Sequence, residues 1–196
     1  MNLGGLHIGR LSATEAQQLL SRARADAPTY EFVGLTLDPE RWTNPKLYWR
    51  QREVGRGEEA FVAARQALQS WVPQRAIADI VDPAPAVKTG ETVVIILRRG
   101  PFWVAAPDRV VAVIDEARRF GFAYGTLPGH AERGEEGFTV EWQTDGTVLA
   151  TIRVLAGPAT PAARAAAPVV RLLQRVALAR YLEAIAGHVA ATTGRT

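Results

Sequence analysis

The feature that most constrains the fold of this chain is a series of short β-branched segments in its middle part, separated by Gly, Pro or Asp. Parallel strands need a long crossover between them, and the connections here are too short for one, so the series predicts an antiparallel meander. The Asp-Gly pair at 145–146 is a strong hairpin signal between the last two segments. The predicted strands are 76–81, 92–97, 102–106, 109–115, 118–127, 137–143 and 147–155.

A long amphipathic helix follows the strands. From Val169 to Val189 apolar residues recur at helical spacing, and we predict that the helix extends to about residue 190. A helix of this length beside one antiparallel sheet buries its apolar stripe on that sheet. Before the meander, the pattern predicts a further strand over 47–54 and a helix over 58–71. The chain is therefore expected to be an α+β protein.

The first 46 residues have a different character. Ser12-Ala-Thr-Glu15 is a capping box, which predicts a short helix over about 13–24. Residues 28–46 contain several prolines and few periodic positions, so we predict an irregular arm there. The resulting division is an N-terminal helix and arm over 1–46, a domain over 47–190 and a disordered tail over 191–196.

Composition excludes several classes of chemistry. The chain has 196 residues, of which 47% are hydrophobic and 22% are charged, and this is sufficient for a globular core. It has no cysteine, and its three histidines are far apart in sequence, so we predict no metal site. The glycine motifs of dinucleotide and phosphate sites are absent, and we predict no cofactor.

The charge and hydropathy of the chain limit its partners. A net charge of +3 is modest and argues against a nucleic-acid partner. No apolar run approaches the roughly 18 residues of a membrane span, and no signal-peptide pattern is present. We therefore expect a soluble cytoplasmic protein that does not insert into membranes.

The densest segment for chemistry is Phe-Gly-Phe-Ala-Tyr-Gly-Thr-Leu-Pro-Gly-His at 120–130. Strand alternation places its aromatic and hydroxyl side chains on one face, which is suited either to lining a ligand cavity or to packing the sheet. Leu127-Pro128-Gly129 predicts a turn, and His130 follows it. The predicted ligand contacts are Phe120, Phe122, Tyr124, Thr126, Arg109, Trp142 and Leu173.

Several of these residues have alternative roles. Arg109 either binds an anionic group or belongs to an ion pair, and Trp142 either stacks on a ligand or packs in the core. A carboxylate beside an imidazole raises the pKa of the imidazole and fixes its tautomer, as general acid–base chemistry requires. We therefore predict His130, Glu135 and Glu136 as catalytic residues of an enzyme. In a protein without activity, the same residues would hold the turn by hydrogen bonds.

The heptapeptide Tyr-Gly-Thr-Leu-Pro-Gly-His at 124–130, followed by Gly-Glu-Glu-x-Phe at 134–138, resembles the signature of uncharacterised protein family 0548. This family comprises bacterial and plant proteins that carry a domain of unknown function. The segment 106–108 departs from the family pattern, in which a cysteine is expected near the arginine. The family supplies no established activity. Four further stretches are also similar to it: 54–61, 109–111, 168–173 and Tyr181-Leu182.

The order of the elements is strand, helix, antiparallel strands and long terminal helix, which resembles the helix-grip fold of Bet v 1 and START-related proteins. The resemblance implies a sheet of about six to seven strands wrapped around the terminal helix, with an apolar cavity between them. It covers residues 47–190 and leaves residues 1–46 as an N-terminal extension.

Three functions are compatible with these patterns. The first is a module that binds an apolar or amphipathic small molecule between sheet and terminal helix. The second is an enzyme of cyclase, hydrolase or isomerase type that uses the histidine and glutamates named above. The third is a dimerisation or protein-interaction domain, with Trp42, Tyr48 and Trp49 at a homodimer interface. The aromatic strand face and the amphipathic helix favour the first.

Overall fold

The computed structural model describes residues 6–8, 11–38, 48–81, 87–99, 102–159, 164 and 167–194. The strands are β1 Leu6–Ile8, β2 Tyr48–Arg56, β3 Asp79–Val81, β4 Thr92–Arg99, β5 Phe102–Glu116, β6 Arg119–Thr126, β7 Glu132–Trp142 and β8 Thr147–Pro158. The helices are α1 Ala13–Ala23, α2 Gly57–Gln69, α3 Val72–Arg75 and α4 Ala167–Thr193, with a 3-10 helix at Leu35–Leu37.

The strands form an antiparallel sheet in the order β2-β8-β7-β6-β5-β4-β3, and β1 pairs with the first residues of β5. With the long helix α4, this arrangement confirms the predicted α+β class and the antiparallel sheet. The strands predicted at 102–106 and 109–115 are one continuous strand, β5. Pro107 indicated a break between them, but pairing with β6 begins only at Asp108, so the missing N–H of the proline removes no bond to that neighbour.

Helices α2, α3 and α4 cover one face of the sheet, which we call the inner face. Its core is aromatic, and the rings of Phe122 and Phe138 stack with their centroids 5.2 Å apart. Trp71 packs against Phe122 at 5.1 Å, and its backbone has the left-handed φ of 59° at the junction of α2 and α3. Burial of side chains this large contributes about 2 to 3 kcal/mol each to folding.

Helix α1 and residues 29–38 cover the opposite face, which we call the outer face. The predicted capping box is confirmed, because the Ser12 hydroxyl accepts the Glu15 N–H at 3.2 Å and the Glu15 carboxylate accepts the Ser12 N–H at 2.9 Å. Leu20 of α1 packs in a second, smaller core on β4 and β5. Residues 39–46 of the predicted arm lie outside the described residues.

Helix α4 continues beyond the predicted end near residue 190. The disordered tail predicted over 191–196 is therefore wrong for 191–193, and residues 195–196 lie outside the described part of the chain. Burial of Val189 holds the last turn, and the hydroxyls of Thr192 and Thr193 donate to backbone carbonyls four residues earlier. Neither α4 nor any other helix in the described residues has the length and apolarity that a membrane span requires.

Candidate functional site

The two glutamates predicted to assist His130 lie on opposite faces of the sheet. Successive residues of a strand point to opposite sides, so Glu135 of β7 faces the outer side and Glu136 the inner side. The structure therefore brings Glu136, but not Glu135, to the face that carries the side chain of Tyr124.

Glu135 fixes the N-terminal arm to the sheet. Its side chain is buried, at 1% exposure, and accepts four hydrogen bonds. One carboxylate oxygen accepts the Tyr30 hydroxyl at 2.9 Å and the Gly34 N–H at 2.6 Å. The other accepts the Thr36 N–H at 2.8 Å and the Thr36 hydroxyl at 2.5 Å. These bonds occupy the acceptor positions of the carboxyl group, so its role in the fold is structural.

Two glycines make room for the arm at the same place. A Cβ added at Gly125 of β6 would overlap the phenol ring of Tyr30, and one added at Gly137 of β7 would collide with Thr36. Glycine in a strand interior commonly marks such a close approach. At Gly125 the group that approaches is the side chain of Tyr30.

Arg109 also serves the outer face. Its guanidinium donates to the carbonyls of Ala23 at 2.9 Å, Arg24 at 3.0 Å and Asp26 at 2.7 Å, and its Nε donates to the Thr92 hydroxyl at 3.1 Å. A cation at the C-terminal end of a helix satisfies free carbonyls and complements the helix dipole. Arg109 thus holds the end of α1 and does not lie with the inner-face residues.

Polar residues from β5, β6, β7 and α4 meet on the inner face. The Tyr124 hydroxyl donates to Glu136, which lies directly opposite it on the neighbouring strand. The Gln174 amide of α4 donates to Glu132 at 2.6 Å. We call this group the inner polar cluster, and its members are Asp108, Tyr124, His130, Glu132, Glu136, Gln174 and Tyr181.

Asp108 is the most unusual member of the cluster. It is 1% exposed, and neither oxygen of its carboxyl group has a hydrogen-bond partner among the described residues. Burial raises its pKa well above the ordinary value, and the nearby charges of Glu136 and Glu132 raise it further. Buried polar groups in folded proteins nearly always have partners, so this carboxyl group requires an explanation.

His130 ends the turn that follows β6. Its N–H donates to the Leu127 carbonyl at 3.1 Å, which confirms the predicted turn. The ring Nδ1 accepts the Glu132 N–H at 2.9 Å, and Nε2 lies 3.9 Å from Asp108 Oδ2. Burial lowers the pKa of His130 to about 4, so the ring is neutral near pH 7, with its proton on Nε2 facing Asp108.

Glu132 and Glu136 are less deeply buried than Asp108. Both keep part of their surface accessible, whereas Asp108 behind them has almost none. The surrounding side chains still desolvate them, and this raises the pKa of Glu132 and raises that of Glu136 to about 7. The Tyr124 hydrogen bond opposes the rise at Glu136, and the Glu132 charge adds to it. Glu136 can therefore take up or release a proton near neutrality.

An aromatic wall adjoins the cluster. We use this term for Trp71, Phe122, Tyr124 and Phe138, whose rings pack against one another with centroids 5.1 to 6.4 Å apart. Tyr181 of α4 meets Phe138 edge-on at 5.5 Å. Phe122 and Tyr124 share one strand face, as alternation predicts, and that face is the inner one. The interior therefore has one polar end and one apolar end.

Phe120 and Trp142 lie farther from the cluster. The strand register places Phe120 opposite Val140, two pairs beyond Phe122 and away from Glu136. Trp142 stacks on Phe61 of α2 at 6.4 Å and lies beneath the guanidinium of Arg118. Their contacts are those of core residues at the far end of the sheet.

Thr126 is bonded to the arm and to the backbone of β7, and Leu173 is exposed. The Thr126 hydroxyl lies 2.7 Å from the Thr29 hydroxyl of the arm and accepts the Gly134 N–H at 3.0 Å. Leu173 is 54% exposed. Each residue of a helix is rotated by about 100° from the last, so the face that carries Gln174 and Tyr181 turns Leu173 towards solvent.

The structure describes only two of the three aromatic residues proposed for a dimer interface. Trp42 lies outside the described residues. Trp49 is 55% exposed on the edge strand β2, and Tyr48 beside it is half-buried.

Four members of the cluster were not predicted from the sequence. Asp108 lies between Ala106 and Val110 on the inner face of β5, where an apolar residue is expected. An acidic residue at such a position is a sequence signal of a functional site. Tyr181 has the helical phase of the buried stripe of α4. Glu132 and Gln174 carry no comparable signal, because their contact depends on how α4 crosses the sheet.

Comparisons with known proteins agree with this fold. Residues 29–184 match a family model described as a domain of unknown function, DUF1990. A UPF0548 protein of Deinococcus radiodurans is 33% identical over 178 residues, which cover 83% of this chain and 87% of that protein.

Two solved structures show the same architecture at low sequence identity. A hypothetical protein from Helicobacter pylori has a TM-score of 0.58 and 11% identity, and the match covers 83% of this chain and 96% of the other. The di-domain ARO/CYC StfQ from the steffimycin biosynthetic pathway has a TM-score of 0.50 and 10% identity, with 76% of this chain and 52% of the other covered. The fold is the helix-grip fold, and the chain belongs to the DUF1990 family and is a relative of the UPF0548 proteins.

Proposed function

We propose that the protein binds a small molecule between the sheet and the first half of α4. The inner polar cluster is the recognition end of the site, and the aromatic wall receives the apolar part of the ligand. One observation carries the proposal: the carboxyl group of Asp108 is buried with both oxygens unpartnered among the described residues, and it faces the cluster.

The energetic cost of Asp108 supports this proposal. A buried carboxyl group without a hydrogen bond costs roughly 1 to 3 kcal/mol when neutral and more when ionised. If Asp108 only packed in the sheet, its carboxyl group would add no stability that offsets this cost. A ligand that donates to it recovers the cost, and convergent polar groups beside an apolar wall are typical of small-molecule sites.

Native mass spectrometry of the protein isolated from its own source under gentle conditions tests the proposal. We expect an added mass that disappears on denaturation. The Asp108→Asn variant should lose that mass, whereas Asp79→Asn, which removes an exposed carboxylate paired with Arg98, should keep it. A bare chain mass in the wild-type protein, together with no stabilisation by extracted metabolites, would contradict the proposal.

A second candidate, an acid–base enzyme, is favoured by Glu136. Its pKa of about 7 suits a group that both accepts and donates a proton, and Tyr124 provides a hydroxyl directly beside it. In this candidate Glu136, rather than Glu135, works with Tyr124. Once a ligand is identified, Glu136→Gln should abolish its conversion, and the loss of affinity should be much smaller than the loss of turnover. Unchanged turnover in that variant would exclude the enzyme candidate and leave the binding function intact.

A further inference from the structure

We infer that the ligand carries a protonated amine, which binds at the inner polar cluster, attached to an apolar body that lies on the aromatic wall. This inference rests on the proposed function, because it names the chemical class of the molecule taken by the same site.

The first argument is the excess of acidic groups. Asp108, Glu132 and Glu136 belong to one cluster: Tyr124 donates to Glu136, Gln174 donates to Glu132 at 2.6 Å, and the ring of His130 lies 3.9 Å from Asp108. Carboxylates gathered in this way repel one another unless they are protonated or a cation lies between them. His130 does not serve as that cation near pH 7, because burial holds its pKa at about 4.

The second argument is the absence of a counter-cation among the described side chains. Described arginines near the sheet are engaged elsewhere: Arg65 pairs with Asp115 at 2.8 Å, and Arg109 binds the end of α1. In the described part of the chain, no salt bridge joins an arginine or lysine to the three carboxyl groups of the cluster. The carboxyl groups are therefore left to be neutralised by protons or by a bound cation.

The third argument is the match of donors to acceptors. An ammonium group has three N–H donors and no acceptor, whereas Asp108 offers two unpartnered oxygens. An anionic headgroup would be repelled by every carboxyl group of the cluster that is ionised. The acidic side chains of the described residues also do not have the arrangement that would hold a metal ion, which favours an organic cation.

The aromatic wall completes the complementarity. The rings of Trp71 and Tyr124 stack 6.4 Å apart beside the cluster, and aromatic rings attract cations as well as apolar surface. A ligand with an ammonium group at one end and a hydrocarbon body at the other would satisfy both ends of the site.

The test uses three probes with one hydrocarbon chain: hexylamine, 1-hexanol and hexanoate. Binding to the purified full chain is measured by the shift in Tm and by isothermal titration calorimetry near pH 7, at fixed ionic strength. We expect hexylamine to bind at least about tenfold more tightly than 1-hexanol and hexanoate not to bind, since the three share a six-carbon skeleton and differ in the charge and hydrogen bonding of the headgroup.

Two variants locate the amine. Asp108→Asn should weaken hexylamine binding by about thirtyfold or more, because a buried partner charge is lost. Asp79→Asn removes one exposed carboxylate and should leave the affinity unchanged. Equal binding of hexylamine by both variants would overturn the assignment of the amine to this cluster.

Proton release provides an independent readout. Carboxyl groups with raised pKa values hold protons in the free protein and give them up when an ammonium group binds. The apparent binding enthalpy of hexylamine should therefore depend on the ionisation enthalpy of the buffer, whereas that of 1-hexanol should not. If 1-hexanol or hexanoate binds as well as the amine, the inference fails and the proposed function stands. If none of the three binds, both fail.

Discussion

Glu135 and Glu136 are neighbours in sequence with opposite environments. Glu135 accepts four hydrogen bonds from the arm on the outer face, while Glu136 lies on the inner face and accepts the hydroxyl of Tyr124. Successive side chains of a strand point to opposite faces of the sheet. One dipeptide therefore contributes both to the stability of the fold and to the chemistry of the site.

The role of Glu135 predicts a large loss of stability on truncation. Glu135→Ala should lower the free energy of unfolding by about 3 kcal/mol or more, because two hydroxyls and two N–H groups lose their acceptor. Urea denaturation measures the change. Glu141→Ala is the matched control, since Glu141 is on the same strand in a partly exposed pair with Arg119, and it should cost less than about 1 kcal/mol. Equal effects would contradict the anchoring role.

Glu136 and His130 should give opposite dependences of stability on pH. The pKa of Glu136 rises from 4.5 to about 7 on folding, so its contribution is present below pH 4.5 and is lost as the pH rises through 7. The pKa of His130 falls from 6.5 to about 4, so its contribution is present above pH 6.5 and is lost as the pH falls through 4. In the wild-type protein, the contribution of Glu136 falls and that of His130 rises as the pH goes from 4.5 to 6.5, so the two changes largely offset each other.

Single variants should expose each contribution. Relative to wild type, Glu136→Gln should gain about 2 to 3 kcal/mol of stability as the pH rises from about 4 to about 7, and His130→Gln should lose a similar amount. Denaturant titrations over this pH range measure both differences. Changes of the same sign in the two variants would show that one of the groups is not perturbed by the fold.

At the scale of elements, the β6–β7 pair explains the signature heptapeptide. Tyr124 points to the inner cluster, Gly125 admits the phenol of Tyr30, and Thr126 bonds to the arm. The turn then places His130 beside Asp108. The seven residues of the motif therefore contribute to both faces of the sheet and form the turn that follows β6.

A double-mutant cycle tests the close approach of arm and strand. Gly125→Ala should cost about 2 to 3 kcal/mol in the wild-type chain, since the added methyl group overlaps Tyr30. In a Tyr30→Ala background the same substitution should cost much less, because the overlapping ring is gone. Unfolding free energies of the four proteins give the coupling. Costs that simply add would show that the arm does not occupy this position in solution.

Sequence patterns predicted most of the elements but not their partners. The capping box and the helical spacing located α1 and α4, because these signals are local. Alternation grouped Phe122 with Tyr124 correctly, yet it cannot tell which face of a sheet meets a helix. The role of Arg109 depends on where α1 ends in space, and the exposure of Leu173 depends on the rotation of α4. Both are set by tertiary packing, which no local pattern records.

At the scale of the whole molecule, the sheet is covered on both faces. Helices α2 to α4 cover the inner face, while α1 and residues 29–38 cover the outer one. The N-terminal segment, predicted as an extension of the domain over 47–190, thus also packs on the sheet of that domain.

Removal of residues 1–46 should therefore abolish cooperative unfolding. It uncovers Val94, Ile96 and Trp103 and removes the donors to Glu135. Differential scanning calorimetry should show no sharp transition for the shortened chain. A chain without residues 1–5 serves as the control and should retain its transition. A cooperative transition in the shorter chain would show that residues 47–190 fold independently.

The inner polar cluster is assembled from two kinds of sequence. Tyr124, His130 and Glu136 belong to the signature segments, whereas Asp108 and Tyr181 come from a different strand and from the last helix. Relatives that are grouped by the signature alone share the way in which the arm packs on the sheet and the turn forms. To sort them by what they bind, one would compare the positions of Asp108, Gln174 and Tyr181, and a group of relatives with the same signature would divide there into separate specificities.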